Sequence, residues 1–265
     1  FGLGCENLTA LDVVTADGEL IHASEKENSD YLWAARGSGP GFFGVATRYY
    51  MAAHPMPKGM KQTVYAYPLD AALEVMSWIR NTMATFPRNL EVVMVARAPE
   101  GKPSVSVVAQ CLGDSDAEVD AALAILAGCP VVDQATFKVE RRPIVVPIDV
   151  EPPTDVNPTG ARYAVDNIWT NASAAQLRPY MRELFSNFVT PKSYVFVHIW
   201  GPVPKLPDMC YSVHADLYYS TNAVYYDPAD DARCEAWAVG GMKKMQKIAI
   251  GAQMNDENIA GHSAL

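Results

Sequence analysis

The run Ser193-Tyr194-Val195-Phe196-Val197-His198-Ile199-Trp200 sets one titratable group among apolar and aromatic ones. Successive side chains of a strand point to opposite faces, so Phe196, His198 and Trp200 share one face and Val195, Val197 and Ile199 the other. One side is aliphatic core. The other is an aromatic surface with an imidazole, a group that titrates near working pH and can carry a proton during a reaction; the same pattern also fits a structural histidine held by hydrogen bonds. Further on, Tyr211, His214, Tyr218, Tyr219, Asn222, Tyr225 and Tyr226 crowd a second extended stretch. Alternation sends about half of them to one face, where Tyr218 can meet a substrate ring or hydroxyl; packing beneath helices with hydroxyls at the rim is the other reading. A third feature, Gly37-Ser38-Gly39-Pro40-Gly41-Phe42-Phe43-Gly44, lets the backbone run close to a neighbour or turn its N–H groups to an anion, or it is a tight turn between helix and strand.

These residues need elements to hold them. Leu8–Thr15 and Glu19–Ala23, joined through Asp17-Gly18, predict a β-hairpin. Ser24 and Glu27 have capping-box spacing, and Asn28, Ser29 or Asp30 is placed to cap a short helix ending at Arg36, before the glycines. A strand over Val45–Ala52 follows. Pro55 and Pro57 mark a boundary, after which strands and helices alternate: Thr63–Tyr67, helix Leu69–Thr85, Leu90–Ala98, Ser104–Cys111, helix Ser115–Leu126 and Val131–Val139. This βαββαβ order predicts an antiparallel sheet with helices on one face. Arg141–Thr159, with Pro143, Pro147, Pro152, Pro153 and Pro158, reads as an extended loop. Beyond it come strand Tyr163–Trp169, helix Ala172–Phe188, strands Tyr194–Trp200 and about Val213–Tyr225, then a helix opened by Asp227-Pro228. The fold class is α+β, with divisions at 1–57, 58–250 and 251–265.

Composition narrows the function. In 265 residues, 49% hydrophobic and 19% charged, there is material for a large core. A formal net charge of −9 supplies no basic stripe for nucleic acid, and a small molecule is the expected partner. The apolar runs are too short to span a membrane. The five cysteines, Cys5, Cys111, Cys129, Cys210 and Cys234, form no Cys-x-x-Cys pair, so no metal site is expected and they read mostly as small buried hydrophobes. Oligomeric state is open, and a cytoplasmic location is favoured. The chain begins at Phe1 without Met and ends at Leu265 without a closing element, so both ends read as cuts through a longer protein.

Three pieces in register, Gly4-Cys5-Glu6-Asn7-Leu8, Val13-Val14-Thr15-Ala16-Asp17-Gly18 and Arg36-Gly37-Ser38-Gly39 continuing through Phe43-Gly44-Val45-Ala46-Thr47, together resemble the end of the FAD-binding domain in berberine bridge enzyme-like flavoproteins of the vanillyl-alcohol oxidase superfamily. The resemblance implies the C-terminal part of an FAD-binding subdomain followed by an antiparallel substrate domain. It implies backbone and shape contacts to FAD from Gly41, Phe43, Gly44, Val45 and Thr47, with Asn255 on a return segment. Phe42 stands where the family usually has a small or polar residue, and Pro40 and Ala46 depart from the commonest pattern. The loop that carries a flavin-linking His in the family would precede Phe1, and any covalent link would lie there. His198 falls near a catalytic carboxylate of plant members, so the resemblance implies a proton-accepting role for it, with Phe196, Trp200 and Tyr218 lining the substrate. The implied activity is an FAD-dependent oxidase moving hydride from an alcohol, sugar or amine to flavin, with oxygen as acceptor, this fragment alone being inactive. The alternative is a flavin-less binding or structural module.

Overall fold

The computed structural model describes residues 2–145, 158–200, 205–213 and 215–256. They form two compact units, Phe1–Met56 with Pro204–His214, and Pro57–Val203 with Ala215–Leu265.

The smaller unit is a three-stranded antiparallel sheet of β1 (Leu8–Val14), β2 (Leu20–Ser24) and β3 (Val45–Met51), in the order β2-β1-β3. Helix α1 (Ser29–Ala35) closes a small core of Leu8, Leu11, Val13, Ala23 and Leu32. The expected capping by Asn28, Ser29 or Asp30 takes a different form. Asn28 occupies the cap position in a left-handed conformation with no side-chain cap, and its amide nitrogen donates to His22 O at 2.7 Å. Arg36 ends the helix, buried, with Nε and Nη2 both donating to Leu8 O at 2.9 and 2.7 Å. The glycine after it has φ of +125°, and a Cβ there would lie 2.4 Å from the backbone nitrogen of Tyr211. That nitrogen donates to Arg36 O at 2.9 Å, Cys210 N to Trp33 O at 3.1 Å, and Trp33 Nε1 to Asp208 Oδ1 at 2.9 Å. Residues 205–213 are thus laced to α1, so the strand predicted from about Val213 starts later; His214 lies outside the described residues.

The larger unit is built on a seven-stranded, wholly antiparallel sheet in the order β7-β4-β6-β5-β9-β10-β8. Its strands are β4 (Gly59–Pro68), β5 (Leu90–Arg97), β6 (Ser104–Gly113), β7 (Phe137–Pro143), β8 (Arg162–Thr170), β9 (Tyr194–Ile199) and β10 (Leu217–Tyr225). Helices α2 (Leu69–Thr82), α3 (Asp116–Leu123), α4 (Ala174–Leu184) and α5 (Asp231–Met245) complete it. The βαββαβ order is present over β4 to β7. Every second residue of β5, β6 and β9 is buried: Val92, Met94 and Ala96; Val105, Val107 and Ala109; Val195, Val197 and Ile199. They join Leu73, Met76 and Ile79 of α2 and Leu177 and Met181 of α4 in one core. Period-two apolar residues facing period-3.6 stripes drive this layering, since burial of each large side chain is worth about 1.5–3 kcal/mol.

Four predicted boundaries shift. Residues 131–134 lead through a 3-10 turn, Val132–Gln134, into β7, which starts at Phe137 because Val132 and Ala135 lean on the core instead of pairing along an edge. Helices α2 and α3 stop at Thr82 and Leu123 and tighten into 3-10 turns. Asp227 caps a 3-10 turn, Pro228–Asp230, by accepting from Ala229 N at 2.9 Å, and α5 begins only after it. The expected loop over 141–159 starts later, because β7 runs on through Pro143, pairing with β4; residues 146–157 lie outside the described residues, as do 257–265.

Candidate active site

The sheet face of the larger unit opposite its helices carries the predicted aromatic group. Register sets Val93, His198, Tyr218 and Trp169 side by side across β5, β9, β10 and β8, and Val95, Phe196, Ser220 and Asn167 in the next row. The His198 ring centroid is 4.7 Å from that of Trp200 and 6.1 Å from that of Phe196, while Trp169 lies 5.1 Å from Tyr218 and 5.9 Å from Trp200. Trp200 Nε1 is buried with no hydrogen-bond partner among the described residues.

Tyr218, predicted to line substrate, is buried and committed within the fold. Past the helix, the chain returns along the β8 edge, with Trp169 N donating to Gly251 O at 2.7 Å and Ile250 N to Trp169 O at 2.8 Å. It then crosses the open face. Asn167 Nδ2 donates to Gln253 O at 2.9 Å, Gln253 N to Asn167 Oδ1 at 2.7 Å, and the Tyr218 hydroxyl to Asp256 Oδ2 at 2.6 Å. Burial, and then the Asp256 charge, push the Tyr218 phenol far above its ordinary range, which keeps it a proton donor and unfits it as a base. Asn255 lies in the Met254–Asp256 turn, and its side chain is outside what the structure describes.

Glu91, which strand periodicity alone did not single out, stands on β5 with Oε1 3.7 Å from His198 Nε2; the side chains are 29% and 20% exposed. Burial lowers the imidazole pKa to about 4 and raises that of the Glu91 carboxyl. His198 is therefore neutral at neutral pH. Unfolded, it would titrate near 6.5, so between 6.5 and about 4 the unfolded chain binds a proton that the folded chain refuses. Stability then falls as pH drops through that window, by about 3 kcal/mol at most at 1.36 kcal/mol per unit. Urea midpoints at pH 6.5 and 4.5 should separate more for the wild type than for His198→Gln; equal separations would show that the imidazole does not resist protonation.

The positions expected to contact FAD, Asn255 aside, lie in the smaller unit. Gly41, Phe43, Val45 and Thr47 are exposed, Phe43 and Val45 at 56% and 66%. Gly44 faces inward: a Cβ there would sit 2.4 Å from Val13 Cγ1, so glycine is required for the strand to close on β1. The Phe43 ring lies 4.9 Å from that of Tyr31, and the Thr47 hydroxyl donates to Asp12 O at 3.3 Å. Cys111, Cys129 and Cys234 are buried, whereas Cys5 and Cys210 are half-buried, and all five are free. Among the described residues no three His, Cys, Asp or Glu converge as a metal group, and no helix is long and apolar enough to cross a membrane.

The chain shares its fold with solved flavoenzymes, a berberine bridge enzyme-like protein among them. It overlays the flavoenzyme CrmK with a TM-score of 0.74 at 18% identity, covering 98% of this chain and 62% of that one. Against the berberine bridge enzyme-like 1 protein of Physcomitrella patens the TM-score is 0.75 at 14% identity, covering 95% and 57%. The sequence takes this further: it is 28% identical to the FAD-linked oxidoreductase nodO of Hypoxylon pulicicidum, over 97% of this chain and 58% of that protein's length. No family model matches the chain. This protein thus has the berberine bridge enzyme-like fold and is related along nearly its whole length to FAD-linked oxidoreductases, of which it spans somewhat over half.

Proposed function

We propose that this protein works as an FAD-linked oxidase, in which the open sheet face of the larger unit covers the flavin ring and holds the substrate. The observation that carries the reading is the row Phe196, His198 and Trp200, a neutral imidazole between aromatic rings on the sheet face opposite helices α2 and α4. The aromatic shelf fits a flat heteroaromatic ring. Bound flavin supplies the two-electron acceptor for a hydride from the substrate carbon. His198 receives the proton of the hydroxyl or amine being oxidised, and Phe196 and Trp200 position the substrate. Gly41, Phe43, Gly44, Val45 and Thr47 contact the dinucleotide chiefly through backbone and shape, with Asn255 a further contact. The substrate is an alcohol, sugar or amine, and electrons return to oxygen. Any covalent flavin link is made by residues outside this sequence.

The test is an absorbance spectrum of the protein expressed from its complete gene, native and after acid precipitation. Flavin bands in the native sample are expected, and bands kept in the pellet indicate a covalent link. A colourless protein that fails to take up added FAD would overturn the proposal in favour of a binding module without flavin.

A further inference from the structure

The base that this reading requires is weak if it works alone. Burial holds the imidazole well below the pKa at which proton transfer from a hydroxyl or amine is efficient near neutral pH. Something must therefore favour its protonated form during turnover. The groups next to His198 in the sheet are Val93, Tyr218, Phe196 and Trp200. Of these, only Tyr218 titrates, and its hydroxyl is spent on Asp256.

The carboxylate that reaches the ring is Glu91, placed by the β5–β9 ladder one pleat away from Val93. Its separation of 3.7 Å from Nε2 is ion-pair range and longer than a hydrogen bond. A rotation of the flexible Glu91 side chain, or one bridging water, closes the gap. The other known partners of these strands do not compete for Glu91: its cross-strand neighbour on β6 is the neutral Gln110.

We infer that Glu91 is a positioning residue for the oxidation, holding the His198 imidazole by its Nε2–H so that Nδ1 faces the substrate, and stabilising the imidazolium formed when Nδ1 takes the substrate proton. The inference rests on the flavin oxidase reading above. The transfer balances: the O–H or N–H bond of the substrate breaks, its proton forms the Nδ1–H bond, and the C–H electron pair leaves as hydride to the bound flavin. The imidazolium and the Glu91 carboxylate are then a neutral pair, and the proton later leaves to solvent through the partly exposed carboxylate. The same arrangement requires a substrate that enters with an ionisable hydroxyl or amine proton directed at β9. An activated C–H donor lacking such a proton would gain nothing from Glu91.

Two measurements on Glu91→Gln, which keeps size and removes charge, test this. NMR titration of the His198 imidazole reads the pairing without reference to turnover, and should show about a tenfold weaker proton affinity in the variant, the effect of losing a nearby charge in a partly desolvated site. Stopped-flow reduction of the flavin by substrate should slow by about tenfold or more in kcat with KM within about threefold, and Glu91→Asp should restore part of the loss. An unchanged imidazole titration overturns the pairing even where replacement of His198 abolishes turnover; a shifted titration with unchanged reduction overturns the catalytic part. An unchanged reduction rate on replacing His198 itself would sink the oxidase base, a separate failure.

Discussion

Replacing His198 by Ala should slow reduction of the bound flavin by substrate roughly 10²–10⁴-fold, the ordinary worth of a positioned general base, with little change in substrate affinity, if the proposed oxidase reading holds. The asymmetry follows from where the ring sits. Its contacts are to Trp200 and Phe196, which remain to hold the substrate, and it carries no net charge at neutral pH to attract one. Its loss is felt when a proton must move. Rapid mixing without oxygen separates the two terms, and reduction at the wild-type rate would leave His198 as a packing residue. Because the imidazole is neutral down to about pH 4, the wild-type rate should stay flat on the acid side until the enzyme approaches that value.

Gly37→Ala destabilises the smaller unit by about 3 kcal/mol or more, since strained backbone and overpacking each cost roughly 1–3 kcal/mol. A side chain at φ +125° is strained in itself, and the added methyl would stand 2.4 Å from backbone and Cβ of Tyr211, which cannot yield as a flexible side-chain tip would. Relief requires residues 205–213 to leave α1, breaking the bonds of Tyr211 N to Arg36 O and Cys210 N to Trp33 O. Urea unfolding followed by Trp33 fluorescence should show a lower midpoint for this unit. An unchanged midpoint would mean that 205–213 does not hold its place against α1.

Much of this was legible in the sequence because periodicity reports burial directly. Alternation over 194–200 put His198 between two aromatics, and β9 shows that division of faces. The βαββαβ order rests on similarly local signals, whereas the expected caps take another form: Asn28 holds the cap position without a side-chain bond, and Asp227 caps a 3-10 turn ahead of α5. What was missed depends on contacts distant in sequence. Glu91 alternates with buried neighbours like any solvent-facing strand residue, and only the pairing of β5 with β9 brings it to an imidazole. Asn167 and Asp256 gain meaning only when the chain returns past β8, a contact between segments far apart in sequence. Residues 131–136 read as strand from β-branched composition, but core packing takes Val132 into a turn. Cross-strand partners and tertiary packing override local propensity in both directions.

The strand order has a consequence for how the chain acquires its chemistry. Among the described strands, β4 to β7 pair with one another and β8 to β10 with one another, and the β5–β9 ladder joins the two sets, so the sheet is two blocks joined along a single seam. Each block is local in sequence and can form early, while the seam joins segments distant along the chain and bears the larger loop-closure cost. Glu91 and Val93 lie on one lip of that seam and His198 on the other. A molecule with both blocks folded but undocked would keep most of its secondary structure and have no Glu91–His198 pair, so that pair marks completed assembly of the sheet.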